Sequence, residues 1–290
     1  MLWHVGPEKR KAAHDVGVYR WSDPACTAVA VGVTGEKLQP ILQAILDVNQ
    51  SGDENLIHPH RITVSEDDWR TVPPLEFYVD YETVSDLDDD FTRIPHKNGQ
   101  PLIFMIGCGH IEASKWRFRC FVAERLSTAC EADVINQWLI HMKTIQETVA
   151  PNLKPRVFHW SHAETSNLRD AYNSAVKRHP QHAAAWSEPN WFDFLKQVMR
   201  AQPVVVRGAL AFGLKPVAQA MYKHHLIASR WEIGPTDGLG AMVGAWRCAR
   251  EAADKGVQLG HIPLMRDIQQ YNEIDCKVMM EVIGYLREAH

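Results

Sequence analysis

The stretch Leu75-Glu-Phe-Tyr-Val-Asp-Tyr-Glu-Thr83 decides the fold, because it combines strand-forming residues with two carboxylates. Its aromatic and β-branched residues are typical of a buried strand, and the preceding Pro73-Pro74 marks a break in the chain. Asp80 and Glu82 are two residues apart, so both side chains project from the same face of that strand. The stretch therefore predicts the first strand of a domain, with an acidic pair on one face.

The acidic pair has two interpretations. Neighbouring charges on a buried face are costly unless a cation neutralises them, which favours a metal site at Asp80 and Glu82. Alternatively, the strand lies at the edge of the sheet and its acidic face is solvated. The pair alone does not decide between these two arrangements.

Outward from this strand, the pattern predicts an α/β fold with a mixed sheet covered by helices. Pro101 to Gly109 and Lys115 to Ala123 continue as two strands of an antiparallel meander. Thr128 and Glu131 form a capping box before an amphipathic helix. Arg156 to Trp160 is a fourth strand, followed by a helix from about Ala163.

The rest of the chain is predicted to be mostly helical, with a small helical appendage at the N-terminus. The predicted C-terminal helices are Trp191 to Met199, Leu214 to Tyr222, Gly238 to Lys255 and Met265 to Glu288. Residues 1–73 form the appendage, with helices at Lys9 to Val16 and Glu36 to Asn49. Residues 74–290 form the main domain.

Composition sets broad limits on the class of protein. The 290 residues are 46% hydrophobic, enough for a sizeable core, and the formal net charge of -4 is weak evidence about partners. The six cysteines include no Cys-x-x-Cys pair, so neither a zinc ribbon nor a disulfide framework is indicated. No segment has the roughly 18 apolar residues of a membrane span. We expect a cytoplasmic protein without a membrane partner.

A second acidic motif, Tyr271-Asn-Glu-Ile-Asp275, lies in the last predicted helix. Its i, i+4 spacing puts Tyr271 and Asp275 on one helical face, so both can reach one site. The alternative is an ordinary amphipathic helix in which Met279 and Ile283 face the core and Asp275 faces water.

Together these segments resemble the DEDD exonuclease superfamily, in its tyrosine-bearing branch, on a ribonuclease H-like fold. They look more closely like the predicted RecB-type, ribonuclease H-like nucleases that occur alone or joined to helicases. The motifs carrying this resemblance are Phe77-Tyr-Val-Asp-Tyr-Glu-Thr83, Phe104-Met-Ile-Gly107, Gly213-Leu-Lys-Pro-Val217 and Tyr271-Asn-Glu-Ile-Asp-Cys276. The resemblance covers roughly residues 74–288 and extends to short motifs in the appendage.

The resemblance implies a site with two Mg²⁺ or Mn²⁺ ions. Asp80 would bridge the ions, Glu82 and Asp275 would flank it, and Tyr271 would orient the attacking water. The family supplies a further carboxylate after the fourth strand, and Glu164 stands there in place of the usual aspartate. Asp170 is the alternative ligand.

The implied activity is a 3′–5′ exonuclease on single-stranded DNA, in DNA repair, replication, or mobile-element or phage DNA metabolism. Lys215 is either a phosphate contact or a plain surface lysine. The atypical Glu164 favours a second hypothesis, a weakly active or inactive nuclease-like module that binds nucleic acid or docks onto a helicase. The residues do not distinguish DNA from RNA.

Other polar and aromatic groups have simpler interpretations. His159 and His162 lack a third nitrogen or sulfur ligand at a recognisable spacing, so a zinc site is not indicated. Asp86 to Asp90 is predicted to be a solvated loop, and Asp193 a helix N-cap. Most tryptophans are predicted to be in the core, although Trp116, Trp231 and Trp246, with nearby arginines, are candidates for a single-strand groove.

Overall fold

A computed structural model describes residues 2–52, 54–84, 101–161, 168–232 and 238–290. In chain order its elements are α1 (Pro7–Asp15), α2 (Leu38–Gln50), β1 (Ile57–His58), α3 (Glu66–Trp69), β2 (Glu76–Val84), β3 (Leu102–Glu112), β4 (Lys115–Val122), α4 (Thr128–Val149), β5 (Arg156–His159), α5 (Leu168–Arg178), β6 (Asn190–Asp193), β7 (Val205–Val206), α6 (Leu214–Lys223), α7 (Gly238–Lys255) and α8 (Pro263–Ala289). A π-helical turn covers Leu195–Met199 and a 3-10 turn covers Leu259–His261. No helix within these ranges is both long enough and apolar enough to cross a membrane.

The chain forms two compact units that are not continuous in sequence. The first unit contains Met1–Thr71, Asp193–Arg230 and Glu281–His290, and the second contains Val72–Phe192 and Trp231–Met280. This division differs from the contiguous one expected at residue 73, although the first break falls close to it. Long-range pairing explains the difference: β1 pairs with β7, and the Ile62 N–H donates to the His290 carbonyl over 2.9 Å.

The sheet of the second unit is mixed and has the strand order β4-β3-β2-β5-β6. β2 pairs antiparallel with β3, β3 pairs antiparallel with β4, and β2 pairs parallel with β5. The predicted meander and the α/β class are thus confirmed. The edge-strand interpretation of the acidic pair is wrong, because β2 is the third of five strands.

The core of the second unit packs on the face of β2 that carries Tyr81. The Tyr81 ring meets Trp138 of α4 edge-on at 5.6 Å, and Trp138 in turn meets Tyr172 of α5 at 6.2 Å. Ala241 and Ala245 of α7 belong to the same buried cluster. Since side chains alternate along a strand, the opposite face of β2 carries the acidic pair.

The start of α4 differs from the predicted capping box. Ser127, not Thr128, is the N-cap, and its hydroxyl accepts a hydrogen bond from the Cys130 N–H over 3.3 Å. Glu131 is fully buried and pairs away from the helix end, with the Ile103 N–H and with Arg178 and His179 of the α5 end. These buried partners hold the Glu131 side chain, so it does not form the expected capping interaction.

The predicted helix from Trp191 is also wrong at its start. Asn190–Asp193 is β6, one of the two edge strands of the sheet, and the π-helical turn follows it. A short run with adjacent Trp191 and Phe192 suits a strand better than a helix, because aromatic residues favour strands. Asp193 still caps the turn that follows β6, because its carboxylate accepts a hydrogen bond from the Lys196 N–H over 3.2 Å.

Alanine substitutions distinguish the two assignments of the α4 cap. We expect Ser127→Ala to lower the free energy of unfolding by about 1 kcal/mol, the usual loss for an N-cap hydroxyl. Thr128→Ala is the matched control, and we expect a change of less than about 0.5 kcal/mol. Urea denaturation followed by circular dichroism measures both; equal losses for the two variants would contradict the assignment.

Candidate metal centre

Three carboxylates from two distant parts of the chain converge in the second unit. Asp80, Glu82 and Asp275 each offer a ligand oxygen, and these oxygens all lie within 4.8 Å of one another. The three side chains are buried, each no more than 7% exposed. We call this group the acidic cluster.

Two rigid elements hold the acidic cluster in place. Asp80 and Glu82 lie on β2, which has hydrogen-bonded neighbours on both sides, and Asp275 lies within the 27-residue helix α8. Asp275 faces this site and not water, so the surface-turn interpretation of the motif is wrong. Tyr271 lies one turn earlier on the same face of α8, as the i, i+4 spacing predicted, and it is buried at 4% exposure.

Asn272 connects α8 directly to Asp80. Its Nδ2 donates a hydrogen bond to Asp80 Oδ2 over 3.1 Å, and the residue is completely buried. Asn272 lies over Gly107 of β3, the residue opposite Asp80 in the antiparallel register. A Cβ atom at position 107 would be 1.7 Å from Asn272 Oδ1, so only glycine allows this approach. Gly107 and Asn272 together fix where Asp80 points.

Asp275 and Tyr271 have supporting contacts of their own. The indole N–H of Trp231 donates to Asp275 Oδ1 over 3.1 Å. Burial raises the pKa of the Tyr271 hydroxyl well above its ordinary value, and the negative charges of Asp275, Glu82 and Asp80 raise it further. Tyr271 therefore carries its proton at neutral pH and acts as a hydrogen-bond donor.

The nearby thiols are buried and are not among the converging ligand atoms. Burial raises the pKa of Cys108 to about 12, and it raises the pKa of Cys276 well above its ordinary value. The thiolate is the form that ligates metals, so burial works against these thiols as ligands. The ligand atoms that converge at this place are carboxylate oxygens.

The acidic cluster fits a hard divalent cation. Three buried carboxylates repel one another strongly unless a positive charge offsets them. Oxygen ligands select Mg²⁺ or Mn²⁺ over softer metals. Two oxygens on opposite sides of Mg²⁺ are about 4 Å apart, so oxygens within 4.8 Å can share an ion after small side-chain movements.

The remaining predicted site residues are not part of this cluster. Glu164, His162 and the Asp86 to Asp90 run lie outside the described residues. Asp170 is exposed in the first turn of α5, and the described residues contain no other acidic, histidine or cysteine group fit for a metal. His159 is buried against the Trp191 ring at 5.5 Å, as a core histidine would be.

Lys215 lies at the start of α6 and belongs to the first unit. Its role as a phosphate contact stays a prediction.

Sequence reasoning missed three residues that support the cluster, namely Gly107, Trp231 and Asn272. Two of them lie inside motifs that carry the resemblance, since Asn272 follows Tyr271 and Gly107 ends Phe104-Met-Ile-Gly107. A glycine inside a strand was a usable signal, because it marks a close approach of another group. Nothing in the local sequence indicated that Trp231 contacts Asp275.

Comparison with known proteins gives no relative: no family model matches the chain, and no match is found among the curated proteins or the solved structures. The case for a function therefore rests on the chemistry of the acidic cluster.

Proposed function

We propose that this protein is a two-metal-ion-dependent nuclease that degrades single-stranded DNA as a 3′–5′ exonuclease. The observation that carries the proposal is the convergence of Asp80, Glu82 and Asp275, which are buried and have oxygens within 4.8 Å of one another. A fold gains no stability from gathering three like charges, so a function that needs them is the physical account.

Asp80, Glu82 and Asp275 would hold Mg²⁺ or Mn²⁺. A pair of such ions, when bound, supplies an activated water and stabilises the leaving oxygen in phosphodiester hydrolysis. The protein's own part is orientation: Asn272 and Gly107 hold Asp80, and Trp231 holds one oxygen of Asp275. Supporting bonds of this kind set the direction of each ligand.

Tyr271 has a separate part in the proposed reaction. Its hydroxyl stays protonated next to three carboxylates, so it is a donor and not a base. A buried phenol in this position orients a water or a phosphate oxygen by hydrogen bonding. Replacing it should slow hydrolysis while leaving the ion ligands in place.

The fold agrees with the resemblance noted in the sequence. An antiparallel meander with a parallel strand on the other side of its first strand is the arrangement expected of a ribonuclease H-like sheet. The acidic pair on the central strand and the Tyr-x-x-x-Asp motif on the last helix occupy the places that the resemblance implies. These agreements support a ribonuclease H-like nuclease.

Two partly exposed tryptophans flank the same stretch of α8 and support a single-stranded substrate. The indole N–H of Trp116 donates to Glu273 over 3.2 Å, and that of Trp231 donates to Asp275. Aromatic rings in a groove stack the bases of a single strand, with a contribution of about 1–3 kcal/mol per base.

The proposal is tested by degradation of end-labelled single-stranded DNA and RNA in Mg²⁺, in Mn²⁺ and in EDTA. We expect shortening of DNA from the 3′ end in either metal and none in EDTA. Asp80→Asn and Asp275→Asn should each lower the rate more than about a hundredfold, beyond the usual effect of a residue that only supports a ligand.

Tyr271→Phe tests the part played by the phenolic hydroxyl in this assay. We expect a rate loss of about a hundredfold, the lower range for proton-transfer groups, with metal binding unchanged. A wild-type rate in Asp80→Asn would rule out the acidic cluster as the active site. Binding of the DNA without cleavage in every metal would instead favour the inactive docking module.

The resemblance also implies a helicase as a partner of this protein. The two would act together in DNA repair, in replication, or in mobile-element or phage DNA metabolism. Co-purification of the tagged full chain tests this part separately. If no more helicase is recovered with the tagged chain than with an untagged control, this part of the proposal is contradicted.

A further inference from the structure

Two aromatic side chains are exposed at the surface of the first unit. Tyr19 is 68% exposed and Trp21 is 40% exposed, and one residue separates them in the chain. A single exposed apolar residue needs no explanation, but neighbouring ones form a patch of the kind that marks interaction sites. Burial of an aromatic ring is strongly stabilising, so leaving two of them exposed has a cost. This pair is therefore a candidate for contact with a ligand.

A tight reversal after α1 places Tyr19 against that helix. Gly17 has a left-handed backbone conformation with φ of 85°, and the Val18 N–H donates to the Ala13 carbonyl over 2.9 Å. A glycine in this conformation is a common way to end a helix. The chain then turns back, and the centre of the Tyr19 ring lies 5.2 Å from that of the His14 ring of α1. Tyr19 is thus held on the helix while most of its side chain stays open to solvent.

The segment that carries Trp21 is held by α2. The side-chain amide of Gln50 lies 2.7, 3.0 and 3.0 Å from three carbonyl oxygens, those of Trp21, Asp23 and Cys26. The Asp23 N–H also donates to the Arg20 carbonyl over 3.2 Å, which closes a turn around Trp21. Side chains on a backbone that is already fixed lose less conformational freedom on binding, which favours affinity.

Three basic residues near these rings have no carboxylate partner. Arg10, Lys11 and Arg20 are exposed, and none of them forms an ion pair with any residue that the structure describes. Arg10 and Lys11 are four and three residues before His14, so they lie on the side of α1 that Tyr19 contacts. Arg20 stands between the two aromatic residues in the chain. These positive charges are therefore available to a ligand.

The carboxylates of this region offset the positive charge only in part. Residues 7–21 contain four basic and two acidic side chains, although the whole chain has a formal net charge of -4. The two acidic ones, Glu8 and Asp15, are seven residues apart and share a neighbouring face of α1. Glu8 lies in the first turn, where a negative charge suits the helix dipole. We use the name aromatic-basic surface for Arg10, Lys11, Tyr19, Arg20 and Trp21.

We propose that the aromatic-basic surface binds single-stranded nucleic acid, with bases stacked on its two rings and phosphates held by its three cations. Exposed rings next to cations are the combination that binds a single strand without regard to sequence. A double helix keeps the faces of its bases stacked on one another, so it would use the cations and leave the rings exposed. An acidic protein segment would likewise use the cations alone.

This surface is distinct from the acidic cluster. The surface belongs to the first unit and the cluster to the second, and no residue is common to both. The inference therefore goes beyond the proposed nuclease activity and does not depend on it.

Fluorescence anisotropy of a labelled oligothymidylate tests the proposal, with the full chain in EDTA so that no metal-dependent cleavage occurs. We expect saturable binding that weakens as salt is raised, because bound phosphates release counterions. Unlabelled duplex DNA and polyglutamate should both compete less well than unlabelled oligothymidylate. Since binding is measured without metal, failure of the nuclease proposal would leave this result unaffected.

Variants of the two rings test stacking. Tyr19→Ala and Trp21→Ala should each raise the Kd about tenfold, the factor that corresponds to one stacked base. Tyr19→Phe keeps the ring and should bind as the wild type does. Because both side chains are exposed, these variants should unfold close to the wild-type temperature, which circular dichroism measures.

Arg20→Gln tests the phosphate contacts. The slope of log affinity against log salt should fall by about 0.7, the value for one phosphate on a single strand. Arg61→Gln is the matched control, because Arg61 is an exposed arginine of the same unit that is paired with Glu66 at 3.2 Å. It should change neither the affinity nor the slope. Absence of saturable binding, equal competition by polyglutamate, or wild-type affinity in the double variant Tyr19→Ala/Trp21→Ala would overturn the proposal.

Discussion

Replacing Glu131 with alanine is expected to lower the free energy of unfolding by about 3–5 kcal/mol, the usual effect of removing one partner from a buried ion pair. Glu131 is fully buried and accepts hydrogen bonds from the Ile103 N–H over 2.8 Å and from Arg178 over 2.6 Å. Its other oxygen is 2.9 Å from His179 Nε2. The substitution would leave a buried guanidinium without its counter-charge and a strand N–H without its acceptor; the bond from Arg178 Nη2 to the Pro101 carbonyl would remain.

Two further variants separate charge from hydrogen bonding at this position. Glu131→Gln keeps an acceptor for the Ile103 N–H but removes the charge opposite Arg178, so we expect a smaller loss. Asp133→Ala, on the exposed side of the same helix, should change the free energy by less than about 0.5 kcal/mol. Urea denaturation followed by tryptophan fluorescence measures all three. A Glu131→Ala protein as stable as Asp133→Ala would contradict the buried ion pair.

Gly107→Ala is expected to disrupt the acidic cluster without changing any of its carboxylates. The added methyl would be 1.7 Å from Asn272 Oδ1 and 3.0 Å from Phe118 Cε2, both on side chains packed against β3. Asn272 must leave its place, and its bond to Asp80 is then lost. We expect a loss of about 1–3 kcal/mol in stability from overpacking and about a 10–100-fold loss of metal affinity from the lost support.

Paired variants show whether the effect passes through Asn272. Asn272→Ala removes the obstructing side chain, so adding Gly107→Ala to it should cost much less stability than Gly107→Ala alone; the two effects are coupled. Gly284→Ala, in α8 with nothing within 4 Å of the added carbon, should stabilise the helix by about 0.5–1 kcal/mol. Additive losses at positions 107 and 272 would disprove the contact.

The sequence was sufficient to predict the elements that carry the acidic cluster. Strand-forming residues around Asp80 and the 3.6-residue period of α8 are local patterns, and local patterns determine which residues share a face. The strand β2 and the shared helical face of Tyr271 and Asp275 followed from these; the burial of that face did not, since the alternative with Asp275 facing water was open. The position of β2 in the sheet, central or at the edge, could not be predicted in this way, because strand order depends on pairing between distant segments.

The features that sequence reasoning missed depend on contacts between distant residues. Glu131 looked like part of a capping box because its partners, Arg178 and His179, lie more than forty residues away. The Asn272 contact with Asp80 spans 192 residues. The first unit gathers three separate segments through pairings such as β1 with β7. Such contacts leave no periodic signal in the chain, so only the folded structure reveals them.

The most direct test of the central claim is a calorimetric titration of Mn²⁺ into the wild type and Asp80→Asn, with thermal unfolding measured in parallel. The wild type should bind two ions and unfold at a higher temperature as Mn²⁺ is added, because a ligand that binds only the folded state stabilises it. Asp80→Asn should lose this binding, yet unfold at a higher temperature than the wild type in EDTA, since one repelling charge is gone. Equal Mn²⁺ binding and equal thermal shifts in the two proteins would contradict a metal centre at the acidic cluster.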